Sequence, residues 1–165
     1  MTESADRRVG IVIGSRSDMA AAEKAVAVLT ELGVESEVRV ISAHRAPALL
    51  SRYAASVAER RIGVLIAIAG LAAHLPGVLA AQTTIPVVGL PMPGGVMDGL
   101  DALLAVVQMP KGVPVATVGV GNAENAALLA AQILAVGDPA LAARFAARRT
   151  AAADAILDDP ANEGL

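Results

Sequence analysis

A chain of 165 residues and 16.5 kDa fits one domain that buries about two-thirds of its unfolded surface, and with 55% hydrophobic residues, 18% charged residues and a mean hydropathy of +0.60 it cannot stay disordered. Tyr53 and Phe145 are the only aromatic residues and the net charge is -3, which leaves neither rings for stacking bases nor a basic run for a polyphosphate backbone, so nucleic acid and anionic membrane are excluded as partners. The absence of cysteine removes disulfides, thiolate nucleophiles and cysteine metal sites and suits a reducing compartment, which makes the cytoplasm the expected location.

Residues 1–8 are polar, lack the apolar stretch of a signal peptide, and read as a flexible tail. Residues 9–13 are a β-branched run ending at Gly14, and 19–32 show helical apolar spacing until Gly33 stops it, which predicts a first βα unit. A second strand is predicted at 37–41. The segment Ser42-Ala43-His44-Arg45-Ala46-Pro47 then leads into a helix whose first turn suits Pro47. Between Ile62 and Ala81 the only polar side chain is His74, a length that matches a bilayer span. Gly63, Gly70, Pro76 and Gly77 interrupt it, however, and no aromatic or basic anchors flank it, so it reads as a buried strand at 64–69, a turn at Gly70 and a helix at 72–82. A fourth strand is predicted at 86–90. It is followed by the long loop 91–99, of a kind that often closes over a ligand, and by a helix at 100–107. A fifth strand at 114–118 precedes a helix at 123–136, and Asp138-Pro139 opens a last helix running to about 157, with 158–165 as a tail.

Strands alternating with helices predict an α/β fold: one catalytic domain over 9–157, with a central parallel sheet in three layers. The last helix has no strand to feed. It carries Leu141, Phe145 and Ile156 on one edge, and Arg144 and Arg148 are read as its wet edge. The apolar edge is therefore expected on a neighbouring subunit, the alternative being a helix folded back on its own domain.

In an open parallel sheet, ligands bind outside the carboxyl ends of the strands. Three polar clusters fall there: Gly14-Ser15-Arg16-Ser17-Asp18, Ser42-Ala43-His44-Arg45 and Gly70-Leu71-Ala72-Ala73-His74. Both histidines of the chain lie within them, a coincidence that points to chemistry at one edge. Ser15 and Ser17 suit helix caps, with Asp18 favouring the helix dipole, and the same hydroxyls and free N–H groups make a phosphate site for which Arg45 supplies a cationic fork. His44 and His74 read either as functional groups or as loop histidines bonded to backbone. No phosphate-loop signature occurs, Gly119-Val120-Gly121-Asn122-Ala123-Glu124 lacks the third glycine of a dinucleotide fingerprint, and two histidines without a carboxylate cluster do not make a metal site. No cofactor is expected.

At these residues the chain resembles the 5-(carboxyamino)imidazole ribonucleotide mutases of purine biosynthesis, which are related to aminoimidazole ribonucleotide carboxylases. The resemblance spans about 9–136. It is carried by Gly14 to Asp18, Ser42 to Pro47, Ala72-Ala73-His74-Leu75-Pro76-Gly77, Gln108-Met109-Pro110-Lys111-Gly112-Val113-Pro114-Val115 and Asn125-Ala126-Ala127-Leu128-Leu129-Ala130-Ala131. It implies a flavodoxin-like fold, a homo-octamer whose loops and C-terminal helices cross between subunits, and no metal or organic cofactor. It further implies that His44 is the general acid/base, that Ser15 and Arg45 face the phosphate of an imidazole ribonucleotide and that Asp18 faces its ribose, with Ser17, Ser42, Gly70 and His74 as further substrate-binding candidates. The implied reaction moves a carboxylate from the exocyclic nitrogen to carbon 4 of the imidazole. A direct carboxylase using carbon dioxide and a non-catalytic nucleotide-binding module are the alternatives, and the segment from Ala72 to Gly77 favours the mutase branch. Two positions depart from the family pattern: Leu71 stands where bacterial mutases usually carry a second glycine, and Met19 replaces a common tryptophan. Either change is expected to reshape the pocket.

Overall fold

The computed structural model describes residues 7–164, so most of the stretch read as an N-terminal tail lies outside the described residues. Five parallel strands form one sheet in the order β2-β1-β3-β4-β5: β1 is Arg8–Ile13, β2 Ser36–Val40, β3 Ile62–Ala69, β4 Val87–Pro91 and β5 Ala116–Thr117. The helices are α1 (Met19–Glu31), α2 (Pro47–Ala55), α3 (Leu75–Ala80), α4 (Leu100–Val107), α5 (Ala123–Ala135) and α6 (Pro139–Leu157). The chain is thus the three-layer, flavodoxin-like α/β fold expected.

The pleat divides the apolar side chains between two cores. Val9, Ile11, Ile13, Val64, Ile66 and Ile68 point at α1 and α5. Val12, Leu65 and Ala67 point the other way, at α2, α3 and α4. Alanine makes this close packing possible: Ala22 and Ala25 of α1 and Ala126, Ala127, Ala130 and Ala131 of α5 are fully buried, so these helices lie near the strands with little side chain between. On the opposite face, a Cβ at Gly10 would stand 2.5 Å from the Tyr53 hydroxyl and 2.9 Å from Leu65 Cδ2, so only glycine lets α2 approach β1 here.

The run that matched a bilayer span is the central strand β3 plus a short helix, and no described helix is long and apolar enough to cross a membrane. Several predicted elements come out with different bounds. The third helix begins at Leu75 rather than 72, because Leu71 (φ 57°) and Ala73 (φ 37°) are in the left-handed region, and the turn they make ends at His74, with Pro76 in the first helical turn. The fifth strand shrinks to two residues: Pro114 has no N–H for the ladder, and the chain turns away through Gly119 and Gly121. β1 starts one residue early, at Arg8, whose N–H reaches the Arg61 carbonyl at 3.0 Å.

The last helix divides in two. Leu141 is buried in the chain's own core and Phe145 packs against it, so the first half of α6 docks on α1 and α5 of the same domain. Arg144 and Arg148 stay at the surface, as read, but have partners there: Arg144 Nε donates to the Leu32 carbonyl at 2.7 Å and Arg148 Nε to Glu31 Oε1 at 3.2 Å, both at the end of α1. A carbonyl orphaned at that helix terminus attracts a cation, which accounts for Arg144; Arg148 pairs with the Glu31 carboxylate. Beyond Thr150 the helix is exposed throughout, Ile156 and Leu157 included.

Candidate active site

The strand order reverses at β1: the chain passes from β1 to β2 on one side and to β3 on the other, and the loops after β1 and β3 diverge there to leave a crevice. The crevice is a cavity of about 520 Å³. Its walls come from all three polar clusters, and every candidate lines it: Ser15, Ser17, Asp18, Ser42, His44, Arg45, Gly70 and His74.

The first wall is a single 3-10 turn, Arg16–Asp18, inserted between β1 and α1. Ser15 caps it, its hydroxyl accepting from the Ser17 N–H at 3.4 Å, and the Ser17 hydroxyl donates to Asp18 Oδ1 at 3.4 Å. Asp18 precedes α1 but makes no side-chain cap, so its carboxylate is left for the cavity. Partial burial pushes the Asp18 pKa above its usual value, against the lowering effect of its bonds to Ser17 and Ser15.

The second wall is the turn after β2. The Ser42 hydroxyl accepts from both the Arg45 backbone N–H (3.2 Å) and Arg45 Nε (3.3 Å), while Arg45 Nη2 donates to the Gly14 carbonyl at 3.2 Å. A guanidinium has five N–H donors, so three remain to meet an anion after the head group has been fixed in place. Ser42 is therefore a holder of Arg45 as well as a lining residue.

The third wall brings the histidines together. His44 Nε2 lies 2.8 Å from His74 Nδ1, with the two rings at 86° and their centroids 5.0 Å apart. One ring must present an N–H and the other a bare nitrogen, so the pair shares one proton across the contact. Thirty residues separate them in sequence; the parallel register brings them into contact by setting β1 between β2 and β3, so that both loops open on one edge.

A family model described as AIR carboxylase matches residues 8–155. The chain belongs to the AIR carboxylase family. It is 51% identical over 157 residues to an N5-carboxyaminoimidazole ribonucleotide mutase of Mycobacterium tuberculosis, covering 94% of this chain and 90% of that one. A protein of the same name from Methanocaldococcus jannaschii is 56% identical over 135 residues, 82% of this chain and 83% of its own. Among solved structures, Treponema denticola PurE superposes with a TM-score of 0.83 at 30% identity, covering 96% of this chain and 99% of that one.

The two departures from the family pattern fall in different places. Leu71 lines the cavity, 63% exposed, with the positive φ that glycine adopts without cost. Met19 does not line it; it packs against the core from the start of α1, so its effect on the pocket is at most indirect. Met92 and Pro93, at the start of the loop 91–99 expected to close over a ligand but not singled out as site residues, lie directly after β4 and close the crevice from that side. The strand-edge rule already pointed to them, since the loop after β4 opens on the same edge as the other three. Of the long loop 91–99, only these two residues reach the cavity. The segments 108–115 and 125–131, which carried part of the resemblance, do not line it; most of the second lies buried in α5 against the sheet.

Proposed function

We propose that this chain is an N5-carboxyaminoimidazole ribonucleotide mutase, moving carboxylate from the exocyclic nitrogen to carbon 4 of the imidazole. The observation that carries the reading is the 2.8 Å contact between His44 and His74 in the wall of the crevice, which the oriented guanidinium of Arg45 also lines. A carbamate loses carbon dioxide once its nitrogen is protonated, and the freed aminoimidazole is an enamine-like nucleophile that recaptures the gas at carbon 4. His44 gives the first proton and later takes the one displaced from carbon 4, so the enzyme ends each cycle in its starting protonation state. His74 orients the His44 ring and shares its proton through the hydrogen bond. Ser15 and the free donors of Arg45 hold the phosphate, Asp18 accepts from the ribose hydroxyls, and Ser17, Ser42 and Gly70 complete the walls.

Carbon dioxide must not escape between the two steps. His44, Arg45 and His74 are exposed in a single protomer, so a cover is required. Val96 is 97% exposed, Met97, Leu104 and Val107 are about half so, and the end of α6 presents Ile156 and Leu157. These apolar groups support a homo-oligomer, an octamer by family resemblance, in which neighbours close each other's crevices. The cysteine-free composition suits work in the cytoplasm.

The test is turnover of labelled N-carboxylated nucleotide by wild type and by His44→Asn. Wild type is expected to convert it without added bicarbonate and with little label lost to solvent; His44→Asn should bind the nucleotide and fail to turn over. Conversion only from the uncarboxylated nucleotide plus bicarbonate would replace the mutase by a direct carboxylase. Tight binding with no reaction in either direction would leave a nucleotide-binding module.

A further inference from the structure

A second cavity, of about 380 Å³, opens between β2 and α2 and shares no lining residue with the crevice. The charges lining it are all of one sign: Arg39 from β2, Arg52 from α2, and Arg60. Glu37 lies at their base with its side chain only 10% exposed, accepting from Arg39 Nη2 at 3.1 Å and Arg60 Nη1 at 3.2 Å, with Arg8 Nη2 at 3.8 Å. Burial alone would raise the Glu37 pKa, but its hydrogen bonds and the guanidinium charges outweigh that and hold it below the usual carboxylate value. It is therefore ionised near neutral pH, yet it is one negative charge against three positive ones lining the groove.

The arginines are also partly preorganised. Arg60 Nε donates to the Ser56 hydroxyl at 3.0 Å, and its guanidinium lies 5.8 Å from the centre of the Tyr53 ring. Arg52 makes no hydrogen bond or ion pair with any described residue, so its fork is entirely available. Val40 and Leu49, each 41% exposed, add apolar surface. Glu37 accounts for Arg39 and Arg60, but no carboxylate among the described residues pairs with Arg52 beside them; repulsion from the other two guanidiniums opposes its placement, and a bound anion relieves it.

We propose that the β2–α2 groove is an anion-binding site for a small phosphorylated molecule bearing at least two negative charges, its phosphates bridging Arg39, Arg52 and Arg60 and its less polar part resting on Val40 and Leu49. Guanidinium forks match phosphate oxygens two at a time, and the cavity has the size of a small-ligand site. The site owes nothing to the crevice, so it stands or falls independently of the proposed mutase chemistry.

The experiment is calorimetric titration of inorganic pyrophosphate into the full-length protein in its native assembly, at low and at physiological ionic strength. Arg45→Ala disables the phosphate cradle of the crevice and serves as the background. On it, pyrophosphate is expected to bind saturably, once per protomer. Adding Arg52→Ala, which removes a side chain with no structural partner, should weaken binding at least tenfold, and Arg39→Ala/Arg52→Ala should abolish it. Absence of saturable binding to Arg45→Ala protein, or an affinity unchanged by Arg52→Ala, would overturn the proposal; the first result is also the one expected if a second copy of the chain covers the groove.

Discussion

Substituting Leu71 by glycine and, separately, by alanine measures the strain stored next to His74. Leu71 has φ 57° and a side chain mostly in water, so both substitutions remove the same small amount of packing and differ mainly in the backbone. A non-glycine residue in the left-handed region costs about 1–2 kcal/mol, whereas glycine loses about 0.4–1 kcal/mol more chain entropy on folding than alanine. The difference leaves Leu71→Gly more stable than Leu71→Ala by about 0.5–1 kcal/mol, the reverse of the order at an ordinary position. Urea unfolding of the two variants at equal protomer concentration measures it, with a Tm difference of roughly 1–4 °C in the same direction. Equal stability, or alanine above glycine, would refute the left-handed turn as the reason that helix α3 starts at Leu75. The turn runs into His74, whose ring meets His44 at hydrogen-bond distance, so the same substitutions act next to the proposed acid/base pair.

Gly10→Ala forces a methyl against the Tyr53 hydroxyl and Leu65, and should cost about 1–3 kcal/mol in thermal or urea unfolding; an unchanged midpoint would contradict the close approach of α2 to β1. Asp18 holds its proton more tightly folded than unfolded, because burial raises its pKa, so its contribution to stability falls as pH rises through the window that starts near the unfolded value of 3.8. Asp18→Asn removes that dependence and should gain on wild type across the window, read as urea midpoints from pH 3.5 to 6; a gap that does not widen with pH would show Asp18 to be unperturbed. Asp138 Oδ1 accepts from the Ala140 and Leu141 N–H groups at 3.0 Å each, so Asp138→Ala should cost about 1 kcal/mol and speed proteolysis within α6, whereas unaltered digestion would mean that the cap does not hold the helix.

The elements that were legible in the sequence are those whose signal is local. The β-branched run at β1, the glycine after α1, Pro47 and Asp138-Pro139 each set an element's start or end within a residue or two. The start of α3 was not legible, because Leu71 and Ala73 have nothing in their chemistry that announces a positive φ; only the surrounding turn imposes it. The docking of the first half of α6 was not legible for a related reason. Leu141 and Phe145 read equally well as a face for another subunit, and the core that takes Leu141 is built in part by α1, over a hundred residues earlier. Arg8, Arg39, Arg52 and Arg60 are likewise spread over four elements and loops, so no motif marks the groove that three of them line.

The crevice was legible by a different route, which explains why all eight candidates line it while some helix boundaries slipped. Its residues were found by position, at the carboxyl ends of strands in a parallel sheet, and that rule needs only the strand order to be right. An error of three residues in a helix start leaves the edge unchanged, since the loops after β1, β2 and β3 still open on it. The same logic explains why the chemistry falls where it does. Helices and strands satisfy their own backbone groups, so free N–H donors and unbonded side chains collect in the loops, and only at the switch point do loops diverge far enough to leave room for a ligand. Ser15, Arg45 and His74 come from three such loops. None of the three walls alone offers both the guanidinium of Arg45 proposed to cradle the phosphate and the histidine pair; the order β2-β1-β3 assembles both within one cavity.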